Sequence, residues 1–90
     1  MKGKESVNRI IQIGDTNIGD NIRKLREKAD YHNQADFVRK LQIAGIDISV
    51  YSYNRVEKGT QNPTVSLLFA LCDLLHCDMN DIFGINKTEQ

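Results

Sequence analysis

The chain has 90 residues, of which 40% are hydrophobic and 27% are charged. This composition is typical of one small globular domain. Twelve basic residues balance twelve acidic ones, so the net charge of zero favours no polyanionic partner. The apolar runs are too short to span a bilayer and the start carries no secretory signal, so we expect no membrane association and a cytoplasmic location.

Residues 1–17 differ from the rest of the chain and are interpreted as an N-terminal arm. Val7 and Ile10 are β-branched, and Ile11 and Ile13 alternate with polar residues. This pattern indicates a short strand. A frayed tail is the alternative, because a single strand is not stable without a partner.

From residue 18 onward the apolar residues recur at three- and four-residue steps, which is the spacing of helices. We expect the first helix to follow a cap at Thr16 or Asn17, and the second to follow a cap at Asn33. The residues of these two helices predicted to face inward are Ile18, Ile22, Leu25, Ala29, Phe37, Val38 and Leu41.

Three further helices are predicted in the second half of the chain. Asp47 and Ser49 can each cap the third helix, and Gly59 ends it. "TQNP" is a loop whose Pro63 fits the first turn of the fourth helix. That helix runs to about His76, and "DMNDIFG" forms a last short helix.

Five short helices joined by tight polar turns predict an all-α domain. The predicted organisation is therefore an arm over residues 1–17, a helical domain over residues 18–83 and a solvated tail over residues 84–90.

The third helix, within "ISVYSYNRVEKG", has an inward and an outward side. At about 100° per residue, Tyr53 and Val56 fall together and point toward the second helix. The residues on the other side are Val50, Tyr51, Asn54 and Arg55. Such a set suits the DNA major groove, because Arg can bind guanine, Asn can pair with adenine and an apolar side chain can touch a thymine methyl. A merely solvated helix face is the alternative.

Several motifs in a fixed order resemble one family. "NQADF", "IS…RVEKG", "NPT" and "LCDLLHCDMNDIF" are similar to the Cro/repressor-type (Xre-like) helix-turn-helix domain, and the similarity covers residues 18–83. The resemblance implies a five-helix lambda-repressor-like bundle whose second and third helices form the DNA-reading unit. It also implies a bacterial or phage-type transcriptional regulator.

The resemblance assigns roles to individual residues. By position, Gln34 contacts a phosphate or a base edge, and Ser49 caps the third helix and reaches the DNA backbone. Arg26 and Glu57 match a buried ion pair that orients the third helix more than it stabilises the fold. The base-facing positions are Val50, Tyr51, Asn54 and Arg55. The positions that track the phosphates are Lys58, Thr60, Gln61 and Asn62.

This chain also departs from the commonest family pattern. Val50 and Tyr51 stand where polar residues are frequent, so we expect base reading to depend mostly on Asn54 and Arg55. The link "QIAGID" is longer than in compact members, and "EKADYHNQ" carries one extra residue. The basic residues expected along one side are Arg23, Lys24, Arg39, Lys40, Arg55 and Lys58. On a neutral chain they predict moderate and strongly salt-sensitive DNA binding.

The fourth helix has more apolar residues than a monomer needs. Its predicted inward residues are Val65, Leu68, Leu71, Cys72 and Leu75. Leu67, Ala70 and Leu74 form a second stripe with Phe69 toward its edge. Scattered surface leucines are one interpretation. The favoured one is a patch that meets a second copy or receives the arm, and either arrangement serves a homodimer.

Catalytic and metal chemistry is not expected. Cys72 and Cys77 fit no disulfide or paired zinc pattern, and a core role is favoured over metal binding with His76. The sequence shows no nucleophile–base pair and no glycine-rich phosphate loop, so we expect no enzyme and no cofactor.

The leading hypothesis is a sequence-specific, nucleoid-associated transcriptional regulator that represses as a homodimer on a palindromic operator. Double-stranded DNA is then the partner, and no small-molecule ligand is expected. The alternative is a protein-interaction module, such as an antitoxin, that binds a partner through the apolar face of the fourth helix and binds DNA weakly.

Overall fold

The computed structural model describes residues 17–84. This part of the chain contains five helices and no strand, so the predicted all-α, five-helix fold is confirmed. The helices are α1 Ile18–Lys28, α2 Gln34–Ile43, α3 Val50–Lys58, α4 Val65–Leu75 and α5 Met79–Phe83. The predicted strand in the arm and the tail after residue 84 lie outside the described residues.

The helix starts are determined by short polar side chains. The side chains of Asn17, Asn33 and Ser49 each accept a hydrogen bond from a backbone N–H three residues later, so these predicted caps are confirmed. The place predicted for Pro63 is wrong, because Thr64 caps α4 and Pro63 lies before the helix. The Thr64 hydroxyl satisfies the N–H of Leu67, while the proline ring is buried.

α1 packs against α3, α4 and α5, while α2 packs against α3. The buried core consists of Ile18, Ile22, Phe37, Val38, Leu41, Tyr53, Val56, Leu67, Leu68, Leu71, Leu75 and Ile82. The predicted inward residues Leu25 and Ala29 are only partly buried at its edge. α3 therefore lies on the bundle with one side fixed by Tyr53 and Val56.

One prediction for α4 needs correction. Leu67 was assigned to an outward stripe, but it is 2% exposed and belongs to the core. It lines the same groove as Ile46, Val56 and Pro63, next to the links before and after α3. Ala70 and Leu74, the other members of that stripe, are partly buried against the core. The predicted stripe is therefore not an exposed patch in the monomer.

Candidate nucleic-acid interface

The outward side of α3 is accessible along its whole length. Tyr53 and Val56 are at most 1% exposed, whereas Tyr51 is 72% and Val50 is 41% exposed. At about 100° per residue, the direction opposite the buried side is occupied by Tyr51, Arg55 and Lys58. Asn54 lies beside this row and is half-buried. The structure thus places Tyr51, Arg55 and Lys58 in one outward row with Asn54 beside it, while Val50 lies in the first turn at the edge of the buried side.

Arg55 is held from two directions. Its guanidinium carbon lies 5.6 Å from the ring centre of Tyr51, one helical turn earlier. Its Nη2 donates a hydrogen bond to the carbonyl oxygen of Thr60 at 3.4 Å, and the Thr60 hydroxyl donates to the carbonyl oxygen of Arg55 at 3.3 Å. The sequence interpretation missed these contacts, although a Tyr–Arg pair four residues apart on a helix is a recognisable signal.

The predicted partners Arg26 and Glu57 form a buried ion pair. Nε and Nη2 of Arg26 donate to the two carboxylate oxygens of Glu57 at 2.7 and 3.2 Å. The side chains are 5% and 3% exposed, so water does not screen the pair. The hydrogen bond to Glu57 raises the pKa of Arg26 above its usual range. α1 is thereby linked to the last turn of α3.

Gln34 joins the same network. Its Nε2 donates to Oε1 of Glu57 at 2.9 Å, so the first residue of α2 is connected to the end of α3. Glu57 therefore accepts hydrogen bonds from both α1 and α2. The sequence interpretation gave Gln34 to DNA alone and missed this internal role; its contact with a phosphate or base edge stays a prediction.

Burial also determines the protonation state of Tyr53 on the inward side of α3. Burial first, and then the nearby Glu57 carboxylate, raise the pKa of the Tyr53 phenol above its usual value. The phenol is therefore neutral at physiological pH and acts as an uncharged anchor.

Gly19 lets α1 approach α3 more closely than any other residue could. A Cβ at this position would lie 2.4 Å from the carbonyl oxygen of Val56 and 2.5 Å from that of Glu57. Both oxygens are backbone atoms of α3, so they can retreat only if the helix moves. The sequence interpretation missed the role of this residue. The available signal was a glycine inside a helical pattern, which can mark a close packing contact.

Part of the positive charge on α1 and α2 is neutralised within each helix. Arg23 pairs with Asp20 and with Glu27, and Lys24 also pairs with Asp20. The hydrogen bonds from Arg23 and then Lys24 lower the pKa of Asp20. On α2, the pair is Arg39 with Asp36.

α3 differs from α1 and α2 in this respect. Neither Arg55 nor Lys58 has a carboxylate partner among residues 17–84. Lys28 and Lys40, at the ends of α1 and α2, are likewise without one in this part of the chain. Uncompensated positive charge therefore lies on the same side of α3 as Tyr51.

The cysteines of α4 and its exit loop are partly buried. Burial raises the pKa of the Cys72 thiol, and it raises that of Cys77 to about 12, so both thiols are protonated at neutral pH. Within residues 17–84, no group of three or more His, Cys, Asp or Glu residues is placed to hold a metal ion. The same part of the chain contains no helix long and apolar enough to cross a membrane.

A family model for the Cro/C1-type HTH DNA-binding domain matches residues 21–88. The chain belongs to this family. Neither a curated protein nor a solved structure matches it. The match covers α2 to α5 and most of α1, and it supports a DNA-binding regulator. The outward side of α3 is the candidate reading surface.

Proposed function

We propose that this Cro/C1-type chain binds operator DNA through the outward side of α3 and represses transcription by occupying its site. The observation that supports this most is the outward row of Tyr51, Arg55 and Lys58 on a helix whose opposite side is buried; Tyr51 and Lys58 are exposed and Arg55 is partly exposed. Arg55 can bind guanine O6 and N7, Asn54 can pair with adenine, and Val50 or Tyr51 can touch a thymine methyl.

Backbone contacts are proposed for the end of α3 and the loop after it. Lys58 and Thr60 are exposed, and Gln61 and Asn62 are partly exposed in the same loop. The Ser49 hydroxyl lies at the other end of α3, where it caps the helix. Such groups contact phosphates and set the register of the protein on the duplex without reading sequence.

The first test compares two lysines at equivalent positions. Lys58 ends α3 and Lys28 ends α1, and both are exposed. Lys58→Ala should weaken binding to every duplex and reduce the slope of log K against log salt by about 1, because one phosphate contact is lost. Lys28→Ala should leave the slope unchanged, because Lys28 lines a groove with His76 and Cys77, away from α3.

Fluorescence anisotropy with a labelled duplex at several salt concentrations measures both slopes. Absence of salt-dependent binding by the unmodified chain would contradict the proposed function. Equal slopes for the two variants would contradict the placement of DNA along α3.

We further propose that the chain acts as a homodimer through α4. Phe69 is 63% exposed near the middle of this helix, while Ala70 and Leu74 are partly buried against the core on another side of it. An aromatic side chain this exposed is a candidate contact for a second copy. A two-fold dimer with its α3 helices about 34–36 Å apart would match two half-sites of a palindromic operator.

Phe69→Asp should convert the dimer to a monomer, because the partner's apolar surface would then meet a charge. Sedimentation velocity at tens of micromolar measures this, and Ile43→Asp is the matched control. Ile43 is 77% exposed on α2, so the same substitution there should leave the dimer intact. A monomeric unmodified chain would contradict the dimer and favour a partner protein as the ligand of α4.

A further inference from the structure

We infer that Tyr51 is a positioning residue that holds the guanidinium of Arg55 ready to read guanine. This inference rests on the proposed function. The Tyr51 ring is 72% exposed and adds little to the core, yet the guanidinium of Arg55 lies 5.6 Å from its centre. The ring therefore contacts the reading side chain in the absence of DNA.

The two contacts on Arg55 restrict its freedom without using up its donors. A surface arginine samples many rotamers, and it loses that freedom when its planar fork meets O6 and N7 of guanine. The Tyr51 ring limits the fork from one direction, and the carbonyl oxygen of Thr60 accepts one N–H of Nη2. The other N–H groups of the guanidinium stay available for a bidentate contact with a base.

This geometry gives Tyr51 a role different from direct reading. If Tyr51 touched a thymine methyl itself, the operator would need that thymine, and the guanine contact would not depend on the ring. If Tyr51 positions Arg55, discrimination at the guanine depends on a flat ring at position 51. The two roles therefore make opposite predictions for a leucine at this position, which keeps apolar bulk but removes the ring.

The experiment uses a duplex selected by the unmodified chain from random oligonucleotides. Replacing each guanine in turn with 7-deazaguanine, which lacks the N7 acceptor, locates the base that Arg55 reads, because Arg55→Ala should lose sensitivity there. The measured quantity is the ratio of Kd values for the 7-deazaguanine and guanine duplexes. Tyr51→Phe should keep this ratio, and Tyr51→Leu should lower it about two- to fivefold, the size expected for an exposed cation–π contact.

The outcomes separate this inference from the proposed function. The exposed position of Tyr51 should leave thermal unfolding unchanged in both variants. An unchanged ratio in Tyr51→Leu, combined with lost sensitivity to replacing thymine by uracil, would overturn the positioning role and show direct methyl contact. A selected duplex with no sensitive guanine would also overturn it. No salt-dependent binding to any duplex would refute the proposed function, and this inference with it.

Discussion

Replacing Glu57 with alanine should lower the free energy of unfolding by about 3–5 kcal/mol, because the Arg26 guanidinium would stay buried without its partner. The carboxylate that is removed accepts hydrogen bonds from Arg26 at 2.7 and 3.2 Å and from Gln34 at 2.9 Å. A domain of this size has about 5–15 kcal/mol of stability in total, so the loss should be visible as early unfolding. Urea titration followed by circular dichroism measures it.

Glu27→Ala is the matched control for this change. Glu27 also pairs with an arginine of α1, Arg23, but at 3.5 Å and with a side chain that is 47% exposed. Water screens such a pair, so its loss should cost about 0–1 kcal/mol. The double change of Arg26 and Glu57 to leucine should recover part of the stability, since no charge is then left buried. A loss for Glu57→Ala no larger than that for Glu27→Ala would contradict the structural role of the pair.

The second large effect is expected at Gly19. Helix propensity alone predicts that Gly19→Ala stabilises the chain by about 0.5–1 kcal/mol. The structure predicts the opposite sign, a loss of about 1–3 kcal/mol, because the added Cβ overlaps backbone oxygens of α3. α3 must shift to make room, so operator affinity should fall as well. Denaturant unfolding and anisotropy on the same samples measure the two quantities.

Gly45→Ala is the comparison without a steric overlap, because its cost to stability comes from backbone conformation alone. Gly45 has φ +97°, and a Cβ there would meet no atom within 4 Å. Its replacement should cost about 1 kcal/mol from the left-handed conformation alone and leave α3 in place. A stabilising effect of Gly19→Ala would show that α1 and α3 are not packed as closely as described.

The helices could be predicted because their signals are local. Asn17, Asn33 and Ser49 cap through a backbone N–H only three residues away, so the sequence contains both partners. The start of α4 could not be settled this way, because Pro63 and Thr64 are both good starting residues. The proline ring is fully buried, and this burial is a tertiary effect that the local sequence does not show.

The candidate site was predictable where helix periodicity decides exposure, as for Tyr51 and Tyr53 on opposite sides of α3. It was not predictable where a distant segment decides it. Leu67 is 2% exposed and borders a groove that residues of the links around α3 also line, while Phe69 is 63% exposed. Likewise, the demand for glycine at position 19 arises from a carbonyl oxygen of Val56, which periodicity within α1 cannot show.

A titration of the isotopically labelled chain with duplex DNA, followed by amide NMR shifts, tests most directly whether the outward side of α3 meets DNA. The proposed function predicts that DNA causes the largest changes in amide chemical shift within residues 49–62. The amide shifts around Phe69 should be nearly the same with and without DNA. Changes confined to α4, or no changes at all, would contradict it.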